Sequence, residues 1–399
     1  MNGDVATSQC APLAVLVARS CNAILCGSTY GMRRTFILAF SLCPLTAHGQ
    51  VQTTRLTEEE VKLDHEFTRI KSGRELANGT LLLVDDREKQ ILVADFGHNT
   101  VRRIGRNGAG PGEYREPGRV HCAPGDSSLI EDHQLARWLV LKGENIVHEE
   151  LVMPRFDYIP MLAGGDRFGR VLEIRPLRYG QSSGLPRLPI HNHAESLLVI
   201  VDNRGSARRD TLARIRGAFR GVKRIMKPIA PGRAPIPWIV HNPLDFEDQA
   251  ILFCDGWIAI VRADPYTVEW YSRDGSRVVR EALPFVRVVV DARERAVATR
   301  TEHQNIFTPD ELPAWPEFVP AFPDYALFPL ADGRLAVRRT ATARSPRPIY
   351  DIVDRRGQIS ERLELSEGEA VVAFGLRYVY IVRTDVDGVQ PLSRHARAG

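Results

Sequence analysis

One kind of turn returns along the whole chain and restricts its fold more than any other feature. Asn78-Gly79, Gly125-Asp126, Phe168-Gly169, Asp255-Gly256 and Asp332-Gly333 each open a short apolar run, and a second run answers each, closing at Gly108, Gly143, Gly205, Gly275 and Gly357. A sixth unit, FGLRYVYIVRTDVDGVQPLSRH, ends the pattern. Asp or Asn beside Gly suits tight turns whose backbone needs positive φ, so these dipeptides mark hairpins. Sustained 3.6-residue periodicity is almost absent between them, which predicts an all-β protein. Strand pairs repeated at several tens of residues are the pattern of a β-propeller, although six uneven hairpins also fit a pair of sandwiches or a β-solenoid.

The segment from Gln90 to Glu116 shows the grammar in full. Ile91, Val93, Val101 and Ile104 flank a break at Gly97, His98 and Asn99, which reads as two strands around a turn. Gly105, Gly108, Gly110, Pro111 and Gly112 then hold the chain on a non-helical path until Tyr114 re-enters packed structure. Val101 to Glu116, with its IGRNGAGPGEY core, resembles the "GRxGxGPGEF" stretch of bacterial secreted six-bladed β-propeller proteins related to the NHL-repeat and TolB-like groups. ADPYTVEWYSRDGSRVV resembles their outer-strand pattern, and DGRLAVRR with YDIVDRRGQISERLEL resembles their penultimate blade. The resemblance implies six four-stranded antiparallel blades and an extracytoplasmic setting. It implies no common activity, because propellers serve many unrelated functions. The ring is expected over residues 65–392, with a strand around Phe67 to Ile70 closing the last blade and 393–399 as a tail. Residues 206–250 depart from the pattern as a long excursion from the third blade, within which APIPWIVHNP reads as irregular, proline-bounded chain.

The N-terminus reads as an address. From Met32, MRRTFILAFSLCPLTAHGQ has an Arg33-Arg34 n-region, an apolar run from Phe36 to Leu45, and small residues Ala47 and Gly49 before Gln50. That order predicts a signal peptide over 32–49 and a periplasmic or secreted product, with 1–31 upstream of a native start at Met32. Gly31 and Met32 precede the arginine pair where a twin-arginine signal has Ser or Thr, and Leu42 precedes Cys43 where a lipoprotein signal needs a small residue. Residues 50–64 form a lead-in linker, with Thr57 and Glu60 spaced as a capped helix turn. After cleavage only Cys122 and Cys254 remain; they lie far apart in the repeat scheme, so two buried free thiols are expected ahead of a disulfide.

Charge and composition exclude some classes. Hydrophobic residues make up 44% and charged residues 26%, with a formal charge of +4, so neither a disordered chain nor a strongly basic nucleic-acid binder is expected. No stretch after the signal approaches the run of about eighteen apolar residues that a spanning helix needs. There is no G-x-S-x-G elbow, P-loop or H-E-x-x-H, and the glycines from 105 to 112 lack the Lys and Ser or Thr of a phosphate loop.

Three constellations remain. His191 and His193 flank Asn192 and share one side of an extended chain, but no third ligand is identifiable, so no metal site is assigned there. Asp85, Asp86, Asp95, Glu131, Asp132 and His133 could face a central channel, where the propeller lactonases gather carboxylates around calcium; acids at strand ends more often cap turns or pair with arginine. From Arg204 to Arg233 there are ten Lys or Arg against one acid, Asp210, which makes Arg208, Arg209, Arg214, Arg216, Arg220, Lys223 and Arg224 candidates for polyanion binding. The expectation is a monomeric, non-catalytic binding platform for a protein or envelope ligand, with no resident cofactor. A metal-assisted hydrolase and a polyanion binder are the alternatives.

Overall fold

The computed structural model describes residues 51–56, 59–151, 161–176, 195–202, 208–217, 222–228, 232–303 and 307–397. The signal-like stretch, Arg220 and the His191/His193 pair lie outside these.

Six antiparallel sheets form the blades of a β-propeller. The first blade comprises Ile70–Glu75, Leu81–Asp85, Gln90–Asp95 and Thr100–Ile104, and the second Pro117–Cys122, Ser127–Asp132, Arg137–Lys142 and Asn145–Leu151. Met161–Gly165, Arg170–Pro176, Glu195–Asp202 and Arg208–Arg216 make the third, and Gln249–Leu252, Ile258–Ala263, Tyr266–Tyr271 and Arg277–Val279 the fourth. The fifth runs through Leu327–Pro329, Leu335–Arg338, Ile349–Val353 and Ile359–Glu364. The sixth takes Glu369–Phe374, Tyr378–Arg383 and Gln390–Ala396 from the C-terminus and its outer strand, Val61–Phe67, from the N-terminus. The leading strand of each blade contacts those of both neighbours, so the ring closes around a channel.

Alternation within the second strands explains the packing. In Leu81–Asp85, Leu81 and Leu83 pack towards the sixth blade with Leu63, Phe67 and Leu392, whereas Leu82 and Val84 pack towards the second with Ile130, Leu139 and Leu141. Both faces of a blade are therefore core, which is why these strands are apolar throughout instead of alternating. Every neighbouring pair of blades shares such a cluster.

The glycine-rich segment after the first blade is structural. Arg106–Asn107 pairs in parallel with Glu113–Tyr114, Glu113 accepts the Gly110 N–H at 2.7 Å, and Gly112 donates to Glu149 at 2.6 Å. A Cβ at Gly105 (φ +62°) would stand 2.6 Å from the Gly112 carbonyl, so only glycine allows this fold-back. Tyr114 is fully buried between the first two blades, donating to the Ile104 carbonyl at 2.8 Å and accepting the Ile91 N–H at 3.0 Å.

Several expectations are corrected. Thr57, the cap of the turn read in the lead-in, lies outside the described residues; on either side of it Thr53–Arg55 adds in parallel to the fifth blade and Val61–Phe67 closes the sixth, while Ile70 already begins the first blade. The expected excursion at 206–250 starts later, because Arg208–Arg216 is the outer strand of the third blade. Beyond it, Val222–Pro228 and Pro235–His241 pair as a separate hairpin, so the stretch read as irregular is a strand. A second insertion, between the fourth and fifth blades, carries the helix Ala292–His303 and a 3-10 turn at Pro309–Glu311. Asp291 caps that helix, accepting the N–H groups of Arg293 and Glu294 at 2.8 and 3.0 Å.

The two insertions pack on one another. Val240, Phe307 and Leu312 form one cluster with Ile225 and Trp238, while Leu244, Val290, Ala298 and Val319 form another, and Trp315 touches both. Both insertions enter leading strands, so this cap rises from the end of the channel where those strands begin. We call that end the mouth.

Cys122 and Cys254 are bonded, with Cα atoms 5.4 Å apart, which overturns the expectation of two free thiols. Cys122 ends the leading strand of the second blade, and Cys254 sits in the first turn of the fourth. The bond thus bridges across the end of the third blade opposite the mouth. Gly164 and Gly165 make room for it: a Cβ at Gly165 would lie 2.3 Å from the Cys122 carbonyl, and one at Gly164 would lie 2.6 Å from that of Leu252.

Candidate functional site at the channel mouth

Four of the six acid-cluster candidates are spent on the frame. Asp85 accepts the N–H of Thr68 at 2.8 Å and of Glu88 at 3.1 Å, and Asp132 does the same for Arg115 and Glu116 at 3.1 Å each. Each acid at the end of a second strand so ties the incoming connection to its own turn. Asp86 is ion-paired with Arg69 at 2.6 Å, and Asp95 accepts Gly97 N–H and contacts His98 Nδ1, both at 2.8 Å. This is the turn-and-arginine use weighed against calcium above. Among the described residues no group of three His, Cys, Asp or Glu has an arrangement suited to a metal.

Glu131 and His133 differ, because they pack against leading strands, both beside Gly118 of the second blade and Glu131 also on Leu162 of the third. Glu131 is buried, accepts the Leu162 N–H at 3.0 Å from the third blade, and lies 3.5 Å from His121 Nε2. Burial alone would raise its pKa; the His121 hydrogen bond, the neighbouring imidazoles and the Leu162 N–H outweigh it and hold the carboxyl below its usual value. Gly118 lets the two residues approach, since a Cβ there would meet His133 Nε2 at 2.6 Å.

From the same strand as His121, Arg119 reaches the fifth blade, and its guanidinium carbon lies 4.1 Å from the centre of the Tyr325 ring. The second and fifth blades are opposite in a ring of six, so this stack crosses the axis. Tyr325 holds a left-handed backbone (φ +55°), unusual for an aromatic residue, just before the leading strand of its blade. Gln249 fixes that approach from the fourth blade, donating to the Pro323 carbonyl at 2.7 Å and accepting the Ala326 N–H at 2.9 Å.

At the foot of the two insertions, Glu247 meets Asp324. Burial first, then the charges of Asp324, Asp245 and Asp248, push Glu247 up to about 8, and its carboxyl shares a hydrogen bond with Asp324. Glu247 therefore keeps its proton near neutral pH. Burial lowers the Arg119 pKa, against the opposing effects of Tyr325 and Glu131. The mouth thus combines a half-buried cation from the second blade, an aromatic face just before the fifth and a raised carboxyl just before the fourth. Sequence reasoning missed Arg119, Glu247, Asp324 and Tyr325, which no local motif marks.

The basic candidates divide between two elements. Arg208 pairs with Asp210 at 2.8 Å and Arg214 with Glu195 at 3.7 Å, Arg209 is exposed on the same edge strand, and Arg216 turns to the Phe246 ring at 5.2 Å. Lys223 is exposed on the insertion hairpin, which also carries the Arg224 backbone. Among the described residues no strand pairing joins these elements.

No protein-family model matches the chain, and no curated protein matches its sequence. Solved structures with a similar course include a Bacteroides fragilis protein expected to be exported, at 12% identity and TM-score 0.46, covering 88% of this chain and 95% of that one. Regucalcin from Agrobacterium tumefaciens, a calcium-binding protein, is 10% identical with TM-score 0.39, covering 87% and 98% of the two chains. Virginiamycin B lyase from Staphylococcus aureus is 8% identical with TM-score 0.39, covering 85% and 98%. What these names say of export, calcium or lyase action belongs to those proteins. The strand order above is what defines this chain as a six-bladed propeller.

Proposed function

We propose that this protein is an exported, non-catalytic binding propeller that receives its ligand or partner at the capped mouth. The observation that carries the reading is the Arg119–Tyr325 stack: a cation and a ring fill the axis where a metal-assisted propeller enzyme needs converging carboxylates. Two packed insertions at the same end supply a shaped surface beside it. Export is supported by the signal-like order of Met32 to Gly49 and by the Cys122–Cys254 bond, which suits an oxidising compartment.

Hydrolysis is the second reading, and Glu247 favours it, since a carboxyl that keeps its proton near neutrality is what a general acid requires. Thermal unfolding of the protein with calcium and with chelator separates the two. The binding reading expects one melting temperature across millimolar calcium. A chelator-sensitive melting temperature would mean that the native state holds a metal, and would favour the metal-assisted enzyme.

A further inference from the structure

We infer that the mouth takes an oxyanion, carboxylate or phosphate, between Arg119 and Arg338. The inference rests on the binding reading above and names its ligand chemistry. Arg119 Nε is buried and has no hydrogen-bond partner. Arg338, on the second strand of the fifth blade, also has a buried Nε without a partner, and its Nη2 makes a hydrogen bond of 3.3 Å to the Asp324 carbonyl. Both guanidinium groups converge on the Asp324–Tyr325 segment, Arg119 over the Tyr325 ring and Arg338 on the Asp324 carbonyl. Burying like charges together carries a desolvation cost that a bound anion offsets, and the nearby acids already have other partners. Glu131 is held by His121 and the Leu162 N–H, and Asp324 by the Glu247 carboxyl.

The ligand chemistry follows from the donors. Two planar guanidinium forks with free N–H groups match the paired oxygens of a carboxylate or phosphate better than any neutral group does. The Tyr325 ring fixes the plane of Arg119, so the fork is oriented before the ligand arrives. Tyr325 is 52% exposed, so the stack is open to solvent on one side.

The test is thermal unfolding of the protein in inorganic phosphate, in acetate and in chloride at matched ionic strength, repeated for Arg119→Met and Arg338→Met. The expected result is a rise of about 2 °C over chloride, at roughly tenfold excess over Kd, in at least one oxyanion. Which of the two acts distinguishes a phosphate from a carboxylate ligand. Each variant should lose the rise, and because they alter different blades, the test survives if one of them does not fold. No rise in the wild type, or a rise of wild-type size in either variant, overturns the inference. The calcium and chelator series is run alongside: an oxyanion failure with an unchanged chelator result removes this site and leaves the binding reading standing.

Discussion

At Glu247 the folded chain holds a proton that the unfolded chain gives up. Its carboxyl titrates at about 8 in the fold, under burial and the charges of Asp324, Asp245 and Asp248, against an ordinary value of 4.5. Between those values the native state binds more protons than the unfolded state, so this group's contribution to stability is complete below the lower value and falls as pH rises through the upper one. The slope is at most roughly 1.4 kcal/mol per pH unit. Lowered carboxylates such as Glu131 and Asp332 act in the opposite sense, lending stability that is lost as pH falls through their folded values. Urea unfolding at about pH 5, 6.5 and 8 should therefore show wild-type stability declining across both intervals, and Glu247→Gln, neutral throughout, should flatten that decline. An equal decline in the variant would place the titrating group elsewhere.

Among the elements, the cap is the part whose stability can be separated from the ring. Trp315 joins its two apolar clusters and donates Nε1–H to the Pro309 carbonyl at 3.0 Å, and Lys227 pairs with Glu311 at 2.9 Å between the insertions. Trp315→Ala should cost the cap about 2–3 kcal/mol. Hydrogen exchange should then quicken in Val222–Pro228 and Pro235–His241 while Leu81–Asp85 keeps its protection. Equal loss in both places would mean that cap and ring unfold together. The same division explains what could be read from sequence. Gly79, Gly256, Gly275, Gly333 and Gly357 all hold φ between +76° and +91°, a local demand that leaves a local mark, so the blades were legible. The insertion hairpin was not, because Pro228, Pro235 and Pro237 signal irregular chain, whereas here Pro228 and Pro235 face each other at the end of a short two-stranded ladder. The mouth was hidden for a different reason: Arg119 and Tyr325 meet only because the ring sets their blades opposite, and no spacing along the chain encodes that.

Across the whole molecule, two devices hold the ring shut, and they act at different places. Val61–Phe67 pairs with Gln390–Ala396, so the last blade is completed from the first residues of the fold, with Leu63 and Phe67 buried against the first blade. The Cys122–Cys254 bond instead ties the second blade to the fourth, across a sequence separation of 132 residues. Closing a loop of that length removes unfolded-state entropy worth on the order of 4–5 kcal/mol in the chain-entropy model. Cys122→Ser with Cys254→Ser in the chain from Gln50 onward should thus lower the urea midpoint while leaving the β circular dichroism unchanged, since the six inter-blade cores remain. Thiol titration of the chain from Gln50 onward in denaturant should find no free thiol, because that chain contains no other cysteine. Two titratable thiols, with a midpoint equal to that of the double variant, would return the pair to the free state expected from their spacing and remove the structural support for an oxidising compartment, leaving export to rest on the Met32 to Gly49 segment alone.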